Sequence, residues 1–249
     1  MSGHSKWATI KHKKGAADAK RGKLFNKLAR QIEVSARAGG GDLDSNPSLR
    51  TAVQKAKAGQ MTNDAIDRAI KRGTGDNGGE NYESITYEGY APGGVALLID
   101  VLTDNRNRTG ADIRSALSKA GGSLAEPGAV GWQFKRQGIL LVDGVADADE
   151  LMLAALEAGA DDVVDDGGTW RVVCAPSSTF EVKEALETGG YHILSADTPM
   201  VSENLVPVTS VEDAKKLLRI LETIEDNDDV QDVFSNFEMS DDVMEAAAE

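Results

Sequence analysis

The sequence predicts an α+β protein in which a small N-terminal helical domain is followed by two α/β domains of ferredoxin-like character, the second inserted in the first. Three observations support this prediction. Apolar residues recur at helical spacing in residues 1–75, whereas short apolar runs typical of strands begin at residue 82. Residues 138–203 contain segments in the order β-α-β-β-α-β. The charge also divides, because residues 1–75 carry 16 Lys and Arg against 6 Asp and Glu in a chain of net charge −14.

The first domain, residues 1–75, is predicted to begin with a basic arm. Residues 1–14 hold four lysines and a tryptophan but little apolar periodicity, which predicts a flexible segment. Residues 18–37 follow as an amphipathic helix whose apolar side chains share one arc. Its basic side chains fall on the opposite arc, which gives the domain a basic outer surface. They are Lys20, Lys23, Lys27, Arg30 and Arg37.

Two further helices complete the first domain. Asn46 is expected to cap the second helix, with Pro47 at its first position, because a side-chain acceptor and a fixed φ both suit a helix start. The third helix is expected to begin at Thr62 or Asn63 and to stop at Gly73. The Gly-rich residues that follow are expected to form a linker.

The second domain is predicted to be discontinuous, formed by residues 82–136 plus 207–238. Its first part supplies two strands, a helix and one more strand, so a second helix is missing. A helix over 210–224 and a strand over 228–238 are expected to complete it. In the first part, a turn is expected at Ala91-Pro92-Gly93-Gly94, a helix start at Thr109 and Asp112, a helix end at Gly121-Gly122 and a strand over 130–136. The tail after residue 238 is expected to fray.

Residues 138–203 are predicted to form the inserted domain. Its two helices have recognisable starts, with Asp147 and Glu150 at the cap of the first and a capping box of Ser178 and Glu181 at the start of the second. Together with four strand-like runs they give the βαββαβ order of the split βαβ fold.

Several classes of function are disfavoured by the composition. The single cysteine, Cys174, lies in an apolar run and is expected to be a buried small hydrophobe rather than a nucleophile. The spacing of His4, His12 and His192 does not fit a zinc site, and no catalytic constellation is evident. No run of apolar residues fits a signal peptide or a membrane span. We therefore expect a cytoplasmic, non-enzymatic protein with no cofactor, no metal, no small-molecule substrate and no membrane partner.

The loop TDNRNRT, residues 103–109, joins a predicted strand to a helix N-terminus. Free backbone N–H groups at such a position favour anions, and Arg106 and Arg108 add bidentate donors for phosphate or base edges. Alternatively, these arginines pair with nearby carboxylates and hold the loop. The carboxylates in question are Asp100, Asp104 and Asp112.

A basic domain on an acidic body points to a polyanion as partner. We expect that partner to be nucleic acid, either ribosomal RNA or promoter DNA, and the ribosome itself is a further expected partner. Lysines of the arm and first helix suit phosphates, and Trp7 suits stacking on unpaired bases. The predicted nucleic-acid-binding residues are Lys6, Trp7, Lys11, Lys13, Lys14, Lys20, Lys23, Lys27 and Arg30, with Arg106 and Arg108 as a second patch.

The opening GHSKW, the following IKHKK and the later loop TDNRNRT resemble the YebC/PmpR family, whose eukaryotic relatives include the mitochondrial translational activator of cytochrome c oxidase. The resemblance extends over the whole chain, with further matches at Lys23-Leu24-Phe25 and Arg68-Ala69-Ile70. It implies three domains around a cavity, an acidic body and no enzymatic activity. Some members resemble promoter-binding regulators, and others resemble translation factors that act at the ribosome.

Three hypotheses about function follow. A translation factor bound to ribosomal RNA would use the basic arm and helix, while its acidic body limits unwanted contacts by repulsion. A DNA-binding transcriptional regulator would place a helix of the first domain in the major groove. A protein that does not bind nucleic acid, either an enzyme or a scaffold, would use its basic part only to dock onto its own acidic body.

Overall fold

The computed structural model of the protein describes residues 18–75, 82–144 and 147–248. The α-helices of these residues are α1 (Asp18–Gly39), α2 (Pro47–Ala58), α3 (Asn63–Thr74), α4 (Arg106–Lys119), α5 (Ala148–Glu157), α6 (Thr179–Thr188), α7 (Val211–Glu225) and α8 (Asp241–Ala248). The strands are β1 (Glu83–Tyr90), β2 (Ala96–Thr103), β3 (Ser123–Leu124), β4 (Phe134–Arg136), β5 (Gly138–Asp143), β6 (Ala160–Asp165), β7 (Thr169–Cys174), β8 (Ile193–Asp197), β9 (Met200–Ser202), β10 (Val206–Pro207), β11 (Val230–Ser235) and β12 (Phe237–Glu238). The predicted α+β class is confirmed.

Helices α1, α2 and α3 pack around a small apolar core of their own. The predicted cap of α2 is confirmed, since the Asn46 side chain accepts from the backbone N–H of Leu49 at 3.0 Å. The same side chain donates to the carbonyls of Ser35 and Gly40, each at 2.8 Å, and so fixes the end of α1 against the start of α2.

The predicted stop at Gly73 is wrong. Gly73 lies inside α3, which continues to Thr74, and it is buried against α1. A Cβ at this position would collide with the backbone carbonyl of Glu33 and lie 2.8 Å from the Cβ of Ala36. The glycine is therefore explained by the close approach of the two helices and not by a helix end.

Residues 83–124 form a sheet that is completed by a strand from much later in the chain. The strand order is β11-β2-β1-β3, and all neighbours are antiparallel. Helices α4 and α7 pack on one face, where Leu97 and Ile99 are fully buried. A smaller cluster that includes Leu98 and Phe134 covers the other face.

The cap of helix α4 lies four residues before the predicted cap at Thr109. The cap is Asn105, whose side chain accepts from the N–H of Arg108 at 3.1 Å. Thr109 lies in the first turn, where it is fully buried. The predicted end of the helix is confirmed, because α4 stops at Lys119 and Gly121 follows with a φ of +82°.

The predicted strand over 130–136 is reduced to β4, with a 3₁₀ turn at Gly131–Gln133 before it. The cause is the carboxylate of Glu88, which accepts from the backbone N–H groups of Gly128, Val130 and Gly131 at 2.6–2.7 Å. Burial would raise the pKa of the Glu88 carboxyl, but these three bonds outweigh burial and hold the pKa below its ordinary value. Backbone N–H groups that donate to Glu88 cannot also donate to a neighbouring strand.

The elements of residues 138–202 follow the predicted βαββαβ order. Strands β5 to β8 form an antiparallel sheet in the order β6-β7-β5-β8, which is the ferredoxin-like order. Strands β4 and β9 pair with each other where the chain enters and leaves this part. The capping box at Ser178 is wrong, because a 3₁₀ turn places Ser178 in the helical region and its side chain makes no cap hydrogen bond.

The predicted fraying of the tail is also wrong for the residues that are described. Residues 241–248 form α8, in which Met244 is fully buried in the same core as α7. Val243 and Ala247 pack partly against that core as well, so one apolar face explains the helix. Just before α8 in the chain, strand β12 pairs in parallel with β10.

Candidate nucleic-acid interface

The predicted binding residues of the arm, Lys6, Trp7, Lys11, Lys13 and Lys14, lie outside the described residues. Lys20 belongs to α1, but its side chain is not among those that the structure describes. The structure therefore places five of the predicted residues: Lys23, Lys27, Arg30, Arg106 and Arg108.

The basic face of α1 contacts the C-terminal end of α7. Lys23 Nζ donates to the carbonyl oxygen of Asp226 at 3.1 Å, and Lys27 Nζ donates to that of Glu225 at 2.6 Å. The last carbonyls of a helix have no partner within the helix and carry the negative end of its dipole. These lysines supply both the missing donors and a compensating charge, so they join the first three helices to the rest of the molecule.

Arg30 extends the same contact by one more turn of α1. One of its terminal nitrogens lies 3.1 Å from the carbonyl oxygens of Leu102 and Asp228 and 2.9 Å from Oδ1 of Asp229. The guanidinium also lies over the ring of Tyr82, 4.6 Å from its centre, in a cation–π contact. Only 21% of the Arg30 side chain is exposed, so most of this side chain is covered by the protein.

The carboxylate of Asp229 is the centre of this contact. Its Oδ2 accepts from Thr109 Oγ1 at 2.6 Å and from Arg108 at 2.7 Å, and its Oδ1 accepts from Arg30. Thr103 donates to Oδ2 at a longer 3.2 Å. Burial would raise the pKa of Asp229, but the hydrogen bonds from Thr109, Arg108 and Arg30 outweigh it and hold the pKa below its ordinary value. We call these five residues the Asp229 cluster.

The two arginines of the loop TDNRNRT have different environments. Arg108 donates to Asp104 at 2.8 Å as well as to Asp229, and these two hydrogen bonds raise its pKa. The alternative prediction that carboxylates hold the loop is thus confirmed for the Arg108–Asp104 pair. Asp100 instead accepts from Thr86 at 2.7 Å.

Arg106 has a different role, because its side chain is exposed and has no hydrogen-bond or ion-pair partner among the described residues. Its carbonyl oxygen accepts from the Tyr87 hydroxyl at 3.1 Å, which fixes the first turn of α4. The exposed guanidinium itself can donate two parallel hydrogen bonds to a phosphate group at this helix N-terminus.

Sequence reasoning did not select three exposed lysines and arginines of the first domain as binding residues. Lys57, Arg68 and Lys71 are exposed and make no ion pair with another described residue. Arg68 and Lys71 share one face of α3, whereas Arg72 beside them pairs with Glu33 at 3.3 Å. The apolar stripe of α3 already indicated that Arg68 and Lys71 point away from the core, so this patch could have been found from the sequence.

No catalytic or metal site stands out among the described residues. They contain no group of three or more His, Cys, Asp or Glu placed to hold a metal ion. Cys174 is buried as predicted, and burial raises the pKa of its thiol. His192 is exposed and lies 3.3 Å from the carboxylate of Asp143. Over the described ranges, every helix is too short or too polar to cross a bilayer.

Comparison with known proteins gives a consistent result over the whole chain. Residues 5–76 match the model of the TACO1/YebC protein N-terminal domain, and residues 82–237 match that of the TACO1/YebC second and third domain. A protein of Halothermothrix orenii is 55% identical and one of Desulfotalea psychrophila is 52% identical, each over the full length of both chains. Both are named probable transcriptional regulatory proteins. The crystal structure of a conserved hypothetical protein from Aquifex aeolicus is similar, with a TM-score of 0.78, 42% identity and coverage of 90% of this chain and 93% of that one.

Proposed function

The chain belongs to the TACO1/YebC family, as its resemblance predicted, and we propose that it is a non-enzymatic, nucleic-acid-binding regulator of gene expression in the cytoplasm. Its relatives named probable transcriptional regulatory proteins support the regulatory part of this proposal. We infer that it acts as a translation factor that binds RNA at the ribosome, with DNA-binding transcriptional regulation as the second candidate.

The observation that carries the proposal is a set of exposed cations that have no partner among the described residues of this acid-rich chain. The sequence has 41 Asp and Glu against 27 Lys and Arg, so an exposed arginine has many carboxylates available to it. Arg106, Arg68 and Lys71 nevertheless pair with no other described residue. Phosphate groups are the ligands that such cations suit. The arm lysines would add to this charge.

The position of α1 disfavours this helix as a recognition helix for duplex DNA. A recognition helix must present one whole face to the floor of the major groove. The basic face of α1 already contacts the end of α7 through Lys23, Lys27 and Arg30, so α1 cannot present that face to DNA in this arrangement. Lys23, Lys27 and Arg30 are still predicted to contact nucleic acid. They would do so through any N–H groups that do not bond within the protein.

The names of the relatives favour the DNA alternative. In that case α3 is the helix to consider, because Arg68 and Lys71 lie on its exposed face. A transcriptional regulator would discriminate a specific site from random duplex by several orders of magnitude in affinity.

The first experiment is co-sedimentation of the full chain with purified ribosomes at physiological salt, with excess random duplex DNA as competitor. We expect the protein to pellet with ribosomes in the presence of the DNA. A variant with Lys11→Glu, Lys13→Glu and Lys14→Glu should remain in the supernatant with an unchanged circular dichroism spectrum. If duplex DNA removes the wild type from ribosomes, the translation-factor proposal is wrong and the DNA alternative takes its place.

A control substitution on the same helix distinguishes a specific role of Arg106 from the effect of removing any positive charge. Arg114 is also exposed on α4, two turns further along, and has no partner among the described residues. We expect Arg106→Ala to weaken binding to ribosomes. It should also reduce the slope of log affinity against log salt concentration by about 0.7, the value for one phosphate contact on a single strand. Arg114→Ala should change neither. Equal effects of both substitutions would contradict the specific role of Arg106.

A further inference from the structure

Helix α5 is apolar on both of its sides. Leu151 and Ala155 face inward and are fully buried in the core beneath the β5–β8 sheet. Met152, Leu153 and Leu156 face outward and are 41%, 60% and 51% exposed. A helix that lies on the surface normally has a polar outer side, whereas one that is apolar all round is normally covered on both sides. The described residues cover α5 on one side only.

The three exposed side chains form one patch. Residues 152 and 156 are four positions apart and residues 153 and 156 are three apart, so Leu156 lies next to both of the others on the helix surface. Single exposed apolar residues are common on protein surfaces, but a contiguous group indicates a contact site. We call Met152, Leu153 and Leu156 the α5 face.

The rim of the α5 face is acidic. Asp149, Glu150 and Glu157 are exposed on the same helix and form no ion pair with any other described residue. The sequence from residue 137 to residue 170 contains no lysine or arginine. The patch is therefore apolar at its centre and negative around it, with no cation from this stretch of chain to balance it.

We propose that the α5 face is a docking surface for a basic amphipathic helix of a partner protein. Such a helix would cover Met152, Leu153 and Leu156 with its apolar side and place its Lys or Arg side chains over Asp149, Glu150 and Glu157. Helix binding in an apolar contact of this kind uses anchors spaced three and four residues apart. The proposal goes beyond the proposed function and does not depend on nucleic-acid binding.

The charges argue against the other occupants. In a two-fold contact with a second copy, the same surface meets itself, so the acidic rims would face each other. The phosphates of RNA and the anionic surface of a membrane would be repelled by the same rim. A partner that is both apolar and basic satisfies the centre and the rim together.

The test measures binding of a fluorescently labelled synthetic peptide, with Leu and Lys arranged as an amphipathic helix, to the full-length protein by fluorescence anisotropy. A peptide of the same composition in scrambled order is the ligand control. We expect the amphipathic peptide to bind at least about tenfold more tightly than the scrambled one. Glu150→Gln with Glu157→Gln should weaken binding and reduce its dependence on salt.

The protein variants separate the α5 face from exposed leucines in general. Leu153→Ser with Leu156→Ser should reduce affinity by about tenfold or more. Leu194→Ser, at a 44% exposed leucine on β8, should leave affinity unchanged. All of these side chains are on the surface, so the thermal unfolding of each variant should match that of the wild type.

Three results would overturn the proposal. The first is equal affinity for the amphipathic and scrambled peptides, which would indicate attraction by net charge alone. The second is wild-type affinity in the variant with Leu153→Ser and Leu156→Ser. The third is a wild-type dimer in sedimentation equilibrium that the same variant converts to a monomer, because this would assign the α5 face to a second copy of the chain.

Discussion

At the scale of single residues, the carboxylate of Asp229 connects parts of the protein that are far apart in sequence. It is 8% exposed as a side chain and accepts hydrogen bonds from Arg30 of α1 and from Arg108 and Thr109 of α4. One carboxylate thereby fixes the first three helices and the start of α4 to the loop before β11. A buried charge is tolerated here because each of its oxygens has a charged donor.

We predict that Asp229→Asn lowers the free energy of unfolding by about 2–3 kcal/mol, since it leaves Arg30 and Arg108 without their shared anion. Urea unfolding at pH 7 measures this difference. Asp226→Asn is the control, because Asp226 is exposed and its carboxylate lies 3.8 Å from Lys23. The control should change stability by less than about 1 kcal/mol.

The lowered pKa of Asp229 determines how the contribution of this residue to stability changes with pH. A carboxyl whose pKa is lowered by folding contributes stability above its ordinary pKa of about 4, and that contribution is lost as the pH falls through the lower native value. The difference in stability between the wild type and Asp229→Asn should therefore shrink as the pH is lowered below about 4. A difference that stays constant to pH 2 would contradict this account.

At the scale of elements, the packing of α3 on α1 depends on one glycine. The sequence pattern correctly places both helices, but it assigns Gly73 to a helix end because glycine commonly occurs there. In the structure Gly73 allows the backbone of α3 to approach the Glu33 carbonyl of α1. The arrangement of the first domain thus depends on a residue that contributes no side chain.

We predict that Gly73→Ala destabilises the protein by about 1–3 kcal/mol, because the added methyl group forces the two helices apart. Gly22→Ala is the matched control, since Gly22 also lies within a helix but has open space around its Cβ position. There the same substitution should be neutral or stabilising by up to about 1 kcal/mol, through helix propensity. Thermal unfolding of the two variants compares them, and similar destabilisation in both would show that the close approach does not matter.

At the scale of the whole molecule, residues 138–202 carry a sheet, two helices and an apolar core of their own. The core residues of this part, from Leu140 to Leu186, all come from within it. The chain enters and leaves through the paired strands β4 and β9, whose register joins Arg136 to Met200. The first sheet meanwhile takes β11 from the far side of this segment.

The prediction that residues 138–203 form an inserted domain can be tested by expressing this segment alone. Expressed alone, this segment should fold with a cooperative thermal transition, because its core needs no residue from outside. With 66 residues it should be marginally stable, with a lower melting temperature than the full chain. Circular dichroism during heating measures the transition. A gradual loss of signal would show that the segment is not an independent domain.

The sequence by itself determined the features that depend on neighbouring residues. The cap at Asn46, the βαββαβ order, the apolar stripes of the helices and the division of charge all follow from short stretches of chain, as does the family resemblance. The helix start at Thr109 was wrong, because the side chain of Asn105 caps the helix instead. The start at Ser178 was correct, but its capping box was wrong, because a 3₁₀ turn places Ser178 in the helical region.

Only the tertiary structure decided what the basic face of α1 touches. Periodicity shows which arc of a helix is polar, but it cannot show whether that arc faces solvent or another part of the protein. The partner of Lys27 is 198 residues away, and the carboxylate bound by Arg30 is 199 residues away, so no local pattern reports either contact. For the same reason, the sequence could not distinguish Arg106, which is exposed, from Arg108, which binds Asp229. Charges act through space, and only the fold determines which of them lie close together.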